Sequence, residues 1–572
     1  MVSGKIRKNT LFAFAVLFSS LGSSVWAQDL PYYDELRDPA GRIRPQYEKA
    51  HEIYKGMRAK AKKEFLKKSK ADFRGDNVLD PLPRLLTKGE YETLRTGVEQ
   101  RGTAIRMFLQ DHYSGKKTYQ SVLPEPVLSR IITRSAETSY SGLVNPDTIS
   151  FPYGPDIIRT ANGKWAVIED NPGFIGGPGD LHIARESMLK HEPKYRDVKF
   201  LHGPEEYYEN IVARAKTRAK PKSGKIVILM SPPYADNEDH RLKKLFGDRG
   251  VEIVTPNTKK KLVMTDKGAV LEHTNKAGKR IRENVGFVFL NAEHKWSDAT
   301  HPASFRSLLV AEAESSIEWL DEMKTPEARA EAMALRRALD PDPVSGIVDY
   351  THLEKQVRKT PNNLSEIRRA SVPGLTDAMM SGKVVTNYSP GVDFIGDKEF
   401  YTYVDDLIRH YLKEEPIITN LPTFRLGKQA ADGTAKVDAE LMKRLFKDGD
   451  YKKFVIKKVD GRGGDGVWIG PKLTEADLPE LIRRIEASPE YFIAQEFNHL
   501  STIEDRIVDL RLIADVNPES VYVTRTPWGR GVPMSGNGKV NLSDKGREFM
   551  VGVVADPIPH CVRDMLKTVL GK

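Results

Sequence analysis

The segment Trp165–Phe174, WAVIEDNPGF, closes an apolar run with Glu169 and Asn171, two oxygen-bearing side chains two positions apart. On a strand such residues share a face, so both can be offered to one magnesium ion at the strand end. Phosphates held by that ion need a cation and unobstructed backbone N–H groups. The stretch that supplies both lies in the last quarter of the chain, FVIKKVDGRGGDGVWIG, Phe454–Gly470. A chain that joins these two stretches in one site must fold its middle out of the way and bring its distant parts together.

In the later stretch, two β-rich segments flank Gly461, Gly463, Gly464 and Gly466. Backbone N–H groups there can close over phosphates without side-chain obstruction. Lys457 shares a strand face with Val455 and can point into a cleft. An ordinary glycine-rich hairpin with an exposed lysine is the alternative. The P-loop pattern is missing. YFIAQEF ends a strand with Gln495 and Glu496, an edge suited to adenine or simply to solvent. VDLRLIADV puts Asp509 and Arg511 on one strand face, for a structural ion pair or for ribose and phosphate contacts. Arg525, in YVTRTPWGR, is expected on another strand near the same sheet. Asp156, Glu169 and Asn171 suit magnesium, and no His or Cys cluster competes for a softer metal. In the absence of metal, clustered carboxylates would repel, so neutralising Glu169 is expected to leave stability almost unmoved.

TISFPYGPDIIRTANGKWAVIEDN reads as two strands, SFPYGPDII and KWAVIED, joined by the turn TANG, which lets Asp156 and Glu169 meet at one edge. KIVILMSPP, then HRLKKLFGDRG, then VEIVTP make a β-α-β unit of Rossmann-like type, without the GxGxxG of a dinucleotide site. Residues 82–135 and 305–375 are expected to be helical. The lysine-rich run Lys60–Lys70 reads as the solvated face of a helix. A formal charge of +10 with 29% charged residues spreads the basic groups among acidic ones, and no nucleic-acid signature accompanies them.

The first 27 residues, with Lys5, Arg7 and Lys8 before LFAFAVLFSSLGSSV and VWA before Gln28, read as a signal peptide. The mature chain is then exported, periplasmic or secreted, with no stable membrane span after cleavage. The single cysteine, Cys561, leaves no intrachain disulfide to form.

Together these segments resemble the ATP-grasp superfamily in a circularly permuted order. The metal ligands of GPDIIRTANGKWAVIEDNPG come first, and the lysine, flap, hinge and DLR strand close the chain. The similarity runs over most of residues 80–545. It implies an α/β (α+β) fold, a circularly permuted ATP-grasp with a Rossmann-like lobe and helical insertions. The segments would be signal peptide 1–27, N-terminal helical region 28–135, metal-binding hairpin 136–200, Rossmann-like lobe 201–300, helical middle 301–399 and nucleotide-binding lobes 400–572.

Carried over, the resemblance puts ATP phosphates on Lys457 and the Gly461–Gly466 loop, adenine beside Glu496 and Phe497, and ribose at Asp509. Arg511 and Arg525 would face phosphates or an acyl-phosphate, and Asp156, Glu169 and Asn171 would hold magnesium. The partners implied are ATP, a carboxylate and an amine or other nucleophile, in a ligase that makes an acyl-phosphate. A nucleotide-binding or scaffold protein that keeps the fold without ligation is the alternative. Lys458 stands where proline is usual, and PGFIGGPGD departs from the usual arginine-bearing continuation.

Overall fold

The computed structural model describes residues 32–570 apart from 74–76, 136–139, 141–142, 174, 221–223, 231–236, 292–296, 324, 341–347, 430–434, 462–465, 537, 541 and 543–545. The signal segment, Gly463 and Gly464 therefore lie outside the described residues.

Its centre is an eight-stranded sheet built from widely separated parts of the chain. The order is Arg84–Thr87, Arg547–Val554, Trp528–Pro533, Arg506–Arg511, Asp156–Arg159, Trp165–Glu169 and Thr419–Asn420, with Thr502–Ile503 beside Arg506–Arg511. The two outermost pairings are parallel and those between them antiparallel. A second, four-stranded antiparallel sheet carries Thr423–Arg425, Phe492–Glu496, Phe454–Lys458 and Val467–Ile469 in that order. Its far face is sealed by Leu426, Leu441, Leu445, Phe454, Ile456 and neighbours. Alternation on the strand therefore turns Lys457 the other way, toward the large sheet.

The β-α-β unit is present. Lys225–Leu229 runs parallel to Glu252–Val254 and to Arg280–Leu290, with Asn237–Gly247 as the helix between the first two. Two antiparallel strands, Gly268–Thr274 and Lys261–Thr265, extend this sheet to five. The middle region forms helices Pro302–Met323, Pro326–Leu339, Tyr350–Val357 and Leu364–Ala370 around their own apolar cluster. Lys60–Lys70 falls within the helix Ala59–Asp72, as its composition indicates. Among the described residues no helix is long and apolar enough to cross a membrane.

Three expectations change. The helical region does not start at residue 82, because Arg84–Thr87 pairs along Val551–Val554 and the helix begins only at Lys88. Thr87 and Glu90 form a reciprocal capping box that sets this boundary. SFPYGPDII is not one strand. Phe151–Tyr153 pairs with Ala514–Val516 in a three-stranded sheet, whereas Asp156–Arg159 joins the large sheet. The break falls at Gly154–Pro155, where a Cβ on Gly154 would lie 2.7 Å from Ile175 and 2.9 Å from Arg511. VDLRLIADV divides in the same way into Arg506–Arg511 and Ala514–Val516.

Candidate active site

The two distant sequence segments meet where the large and small sheets face each other. Lys457 Nζ donates to the carbonyl of Ile168, 3.3 Å away, next to Glu169. Burial pushes the Lys457 amine down to about 8, partly opposed by Glu169 and helped by Lys398. The hairpin pairs Asp156 with Glu169 across a register shift at Asp156–Ile157, so the two meet at one edge as expected.

Each carboxylate has cationic company. Glu169 is 3.0 Å from Lys398 Nζ, and that buried lysine also donates to the carbonyl of Gly461 at the base of the glycine loop. At the loop's other end Gly466, at φ +62°, accepts from the N–H of Lys458 at 2.7 Å, and a Cβ there would meet Lys458 at 2.6 Å. Asp156 is bound by Arg511 at 2.8 Å and by Arg530 at 3.0 Å. Burial alone would raise its pKa, but the two guanidiniums hold it down to about 2. Asp509 sits opposite Arg530 in the strand register and pairs with it at 2.7 Å. Burial, with Asp156 close by, pushes its carboxyl up. Glu169 thus pairs with Lys398 and lies near Lys457, so the carboxylate repulsion behind the expected indifference of stability to its charge is offset by cations, and a loss of stability is expected instead.

Asn171 donates its amide N–H to the carbonyl of Gly154 at 3.1 Å, which turns its oxygen into an acceptor pointing elsewhere. Glu169, a quarter exposed, and Asn171 are therefore fit to ligate magnesium with a nucleotide supplying further oxygens. Asp156 fits less well as it stands, because both its oxygens are engaged by arginines. Among the described residues no group of three His, Cys, Asp or Glu could hold a metal by itself.

At the hinge, the N–H groups of Glu496 and Phe497 are committed to the carbonyls of Pro422 and Lys453, both at 2.8 Å. Those two donors are not available to a base, which leaves the Phe497 ring and the carbonyl oxygens as the framing groups. Arg525 is a correction. The chain leaves the strand after Val523, so Arg525 lies in a bend, half exposed, and pairs with Glu206 at 3.0 Å instead of joining the arginine cluster.

Sequence reasoning missed Lys398, Arg530 and the support behind Glu169-Asp170-Asn171. Asp170 faces away from its two neighbours, into the core. There Arg101 holds it through two bonds of 2.7 and 2.8 Å, and the Tyr153 hydroxyl donates at 2.5 Å. Both Arg101 and Asp170 have fully buried side chains, and Arg101 also reaches Asp405 and Asn420. Strand alternation was a signal that Asp170 points inward. Nothing in the sequence linked Lys398 or Arg530 to the site.

A strand lysine that reaches an acidic strand end across two sheets, followed by a loop with Gly461 and Gly466 at its two ends, fits an ATP-grasp architecture. The circularly permuted ATP-grasp type 2 model matches residues 83–299 and 330–528, and the chain belongs to that family. An uncharacterized protein of Mycobacterium tuberculosis is 24% identical over 500 residues, covering 85% of this chain and 75% of its own. One from Synechocystis is 24% identical over 485 residues, covering 82% of each. A Frankia casuarinae protein with the provisional name glutamate–cysteine ligase 2-2 is 26% identical over 526 residues, 86% of this chain and half of its own length. A glutathione synthetase-like effector of Globodera pallida superposes over 88% of this chain and 99% of its own at 8% identity, with a TM-score of 0.46.

Proposed function

We propose that this chain is an exported, ATP-dependent carboxylate–amine ligase that acts on a small-molecule or peptide carboxylate. The observation that carries the reading is the contact of Lys457 with the Ile168–Glu169 strand end, across two sheets and against the order of the chain. Family membership and the provisional ligase name of the Frankia relative support it. The basic and apolar first 27 residues support export, which fractionation of the producing cell tests.

The γ-phosphoryl of ATP passes to a carboxylate oxygen, giving ADP and an acyl-phosphate. An amine then attacks the carbonyl carbon, phosphate leaves, and the amine nitrogen gives up a proton as the amide forms. Bound magnesium supplies charge neutralisation on the phosphate oxygens, and Glu169 and Asn171 are the residues fit to hold it. Lys457 and Lys398 place two positive charges at the base of the glycine loop, where phosphates need them. Arg511 and Arg530, each with about a tenth of its side chain exposed, present a fixed pair of guanidiniums for a carboxylate or its phosphate. No protein nucleophile is required, because position and charge do the work.

The test is magnesium-dependent ADP formation on offering mixtures of amino acids, peptides and polyamines, followed by mass analysis of the product. Sustained, many-turnover ADP release that needs both carboxylate and amine supports the ligase. Nucleotide binding without ADP from any mixture favours the alternative, an exported nucleotide-binding protein without ligation. The tight engagement of Asp156 by two arginines is the observation on that side.

A pH dependence follows from Lys457. Its charged form holds phosphate, so affinity for Mg·ATP is expected to fall as pH rises through about 8. Because the folded value lies below the ordinary 10.5, the unfolded chain binds more protons between the two, and this group adds stability to the nucleotide-free protein as pH rises through that window. Nucleotide titrations from pH 7 to 9 check it, and Lys457→Arg should remove the inflection while keeping the charge.

A further inference from the structure

The segment that connects the small sheet to the large one, from Phe497 to Ser501, is not left to itself. Residues 32–36, outside the span matched by the family model, lie against its far end, where Asp34 forms a single parallel bridge with Thr502. The Thr502 N–H donates to the Tyr33 carbonyl at 2.8 Å, and the Glu35 N–H donates to the Thr502 carbonyl at 2.9 Å. Ser501 Oγ donates to the Glu35 carboxylate at 2.6 Å. That carboxylate is fully enclosed with Arg84, whose Nη1 goes on to the carbonyl of Asp509 at 2.7 Å.

On the outer side the Tyr32 ring meets His499 edge-on at 6.2 Å, and His499 meets the hinge residue Phe497 edge-on at 4.9 Å. The Tyr33 ring is held by two guanidiniums, Arg159 at 4.0 Å and Arg44 at 4.3 Å. The arm thus touches the connector at His499 and Ser501 and its junction with the large sheet at Thr502, and Arg84 links Glu35 to the backbone of the Asp509 strand.

We propose that residues 32–36 are a bracing arm that fixes the connector between the two nucleotide-facing sheets, and that Tyr32 and Glu35 are positioning residues for the hinge. A connector of five residues with little buried apolar surface of its own would otherwise open locally at low cost. Two backbone hydrogen bonds at Thr502, the Glu35 carboxylate on Ser501 with its buried Arg84 partner, and the Tyr32–His499 contact tie it to the large sheet's edge. The small sheet then meets the Glu169 strand end at one set angle. The consequence for nucleotide affinity rests on the reading of the cleft as a nucleotide site, whereas the bracing itself does not.

The test uses the full chain with Tyr32→Ala and Tyr32→Phe, since Glu35→Gln strikes the core and can fail to fold. Amide hydrogen exchange of residues 497–501 in the nucleotide-free protein is expected to quicken about threefold to tenfold in Tyr32→Ala, the span set by the loss of one aromatic pair. Tyr32→Phe, which keeps the ring, should restore it, and the unfolding temperature should hardly move in either. Mg·ATP affinity should weaken in Tyr32→Ala and recover in Tyr32→Phe. Unchanged connector exchange in Tyr32→Ala, or failure of phenylalanine to restore it, overturns the arm. If the unaltered protein binds no Mg·ATP, the nucleotide reading fails, and the exchange result still decides for or against the arm.

Discussion

Glu169→Gln is expected to lower ATP-dependent turnover roughly a thousandfold, by weakening the hold on the metal and on the phosphates it bridges. It should also make the nucleotide-free protein less stable. The carboxylate stands 3.0 Å from Lys398, and its charge is what keeps the buried Lys457 amine from falling further below its ordinary pKa. Glutamine removes the carboxylate paired with Lys398 and leaves Asp156 as the remaining acidic group opposing the desolvation of Lys457, at a cost of about 1–3 kcal/mol. The stabilisation gained on adding Mg·ATP should shrink as well, because linked stability follows affinity. Turnover and thermal unfolding, each with and without Mg·ATP, measure all three effects. Earlier unfolding with an undiminished nucleotide shift would make Glu169 a structural residue only.

The second large effect lies behind the strand end. Arg101→Leu should destabilise the protein by about 3–5 kcal/mol, because it strands the buried carboxylate of Asp170 with Tyr153 as its remaining hydrogen-bond donor in this network. Arg101→Lys should recover little, since one ammonium cannot replace the two parallel bonds to Asp170. Asp170→Asn should cost less, as Asp405 still offers Arg101 a charge partner. Denaturant midpoints rank the three variants. A small loss in Arg101→Leu would mean that the network neither pins the strand end nor holds Glu169 and Asn171 in register.

What the sequence made visible follows a physical boundary. The hairpin and the EDN strand end were legible because turn residues, alternation and paired oxygen ligands are local properties. The lysine strand and its glycine loop were legible for the same reason, and motif order then indicated the permuted fold. Lys398 could not be found, since it reaches Glu169 from a short helix more than two hundred positions away whose sequence carries no phosphate signature. Arg530 required the strand register opposite Asp509, which tertiary pairing sets. Arg525 was misplaced because the apolar run ends at Val523 and the chain bends, a change of direction that alternation alone does not reveal. The break at Gly154–Pro155 was hidden within a run that reads as one strand, and it is the close approach of Arg511 that demands the missing Cβ.

The central claim is that the early Glu169–Asn171 strand end and the late Lys457 strand serve one nucleotide. A crystal structure with magnesium and a non-hydrolysable ATP analogue tests it most directly. The account predicts a phosphate oxygen on Lys457 Nζ and, bound to those phosphates, a magnesium ion ligated by Glu169 and Asn171. A nucleotide seated in another cavity, or phosphates on Lys457 with the metal held by residues elsewhere, would contradict it.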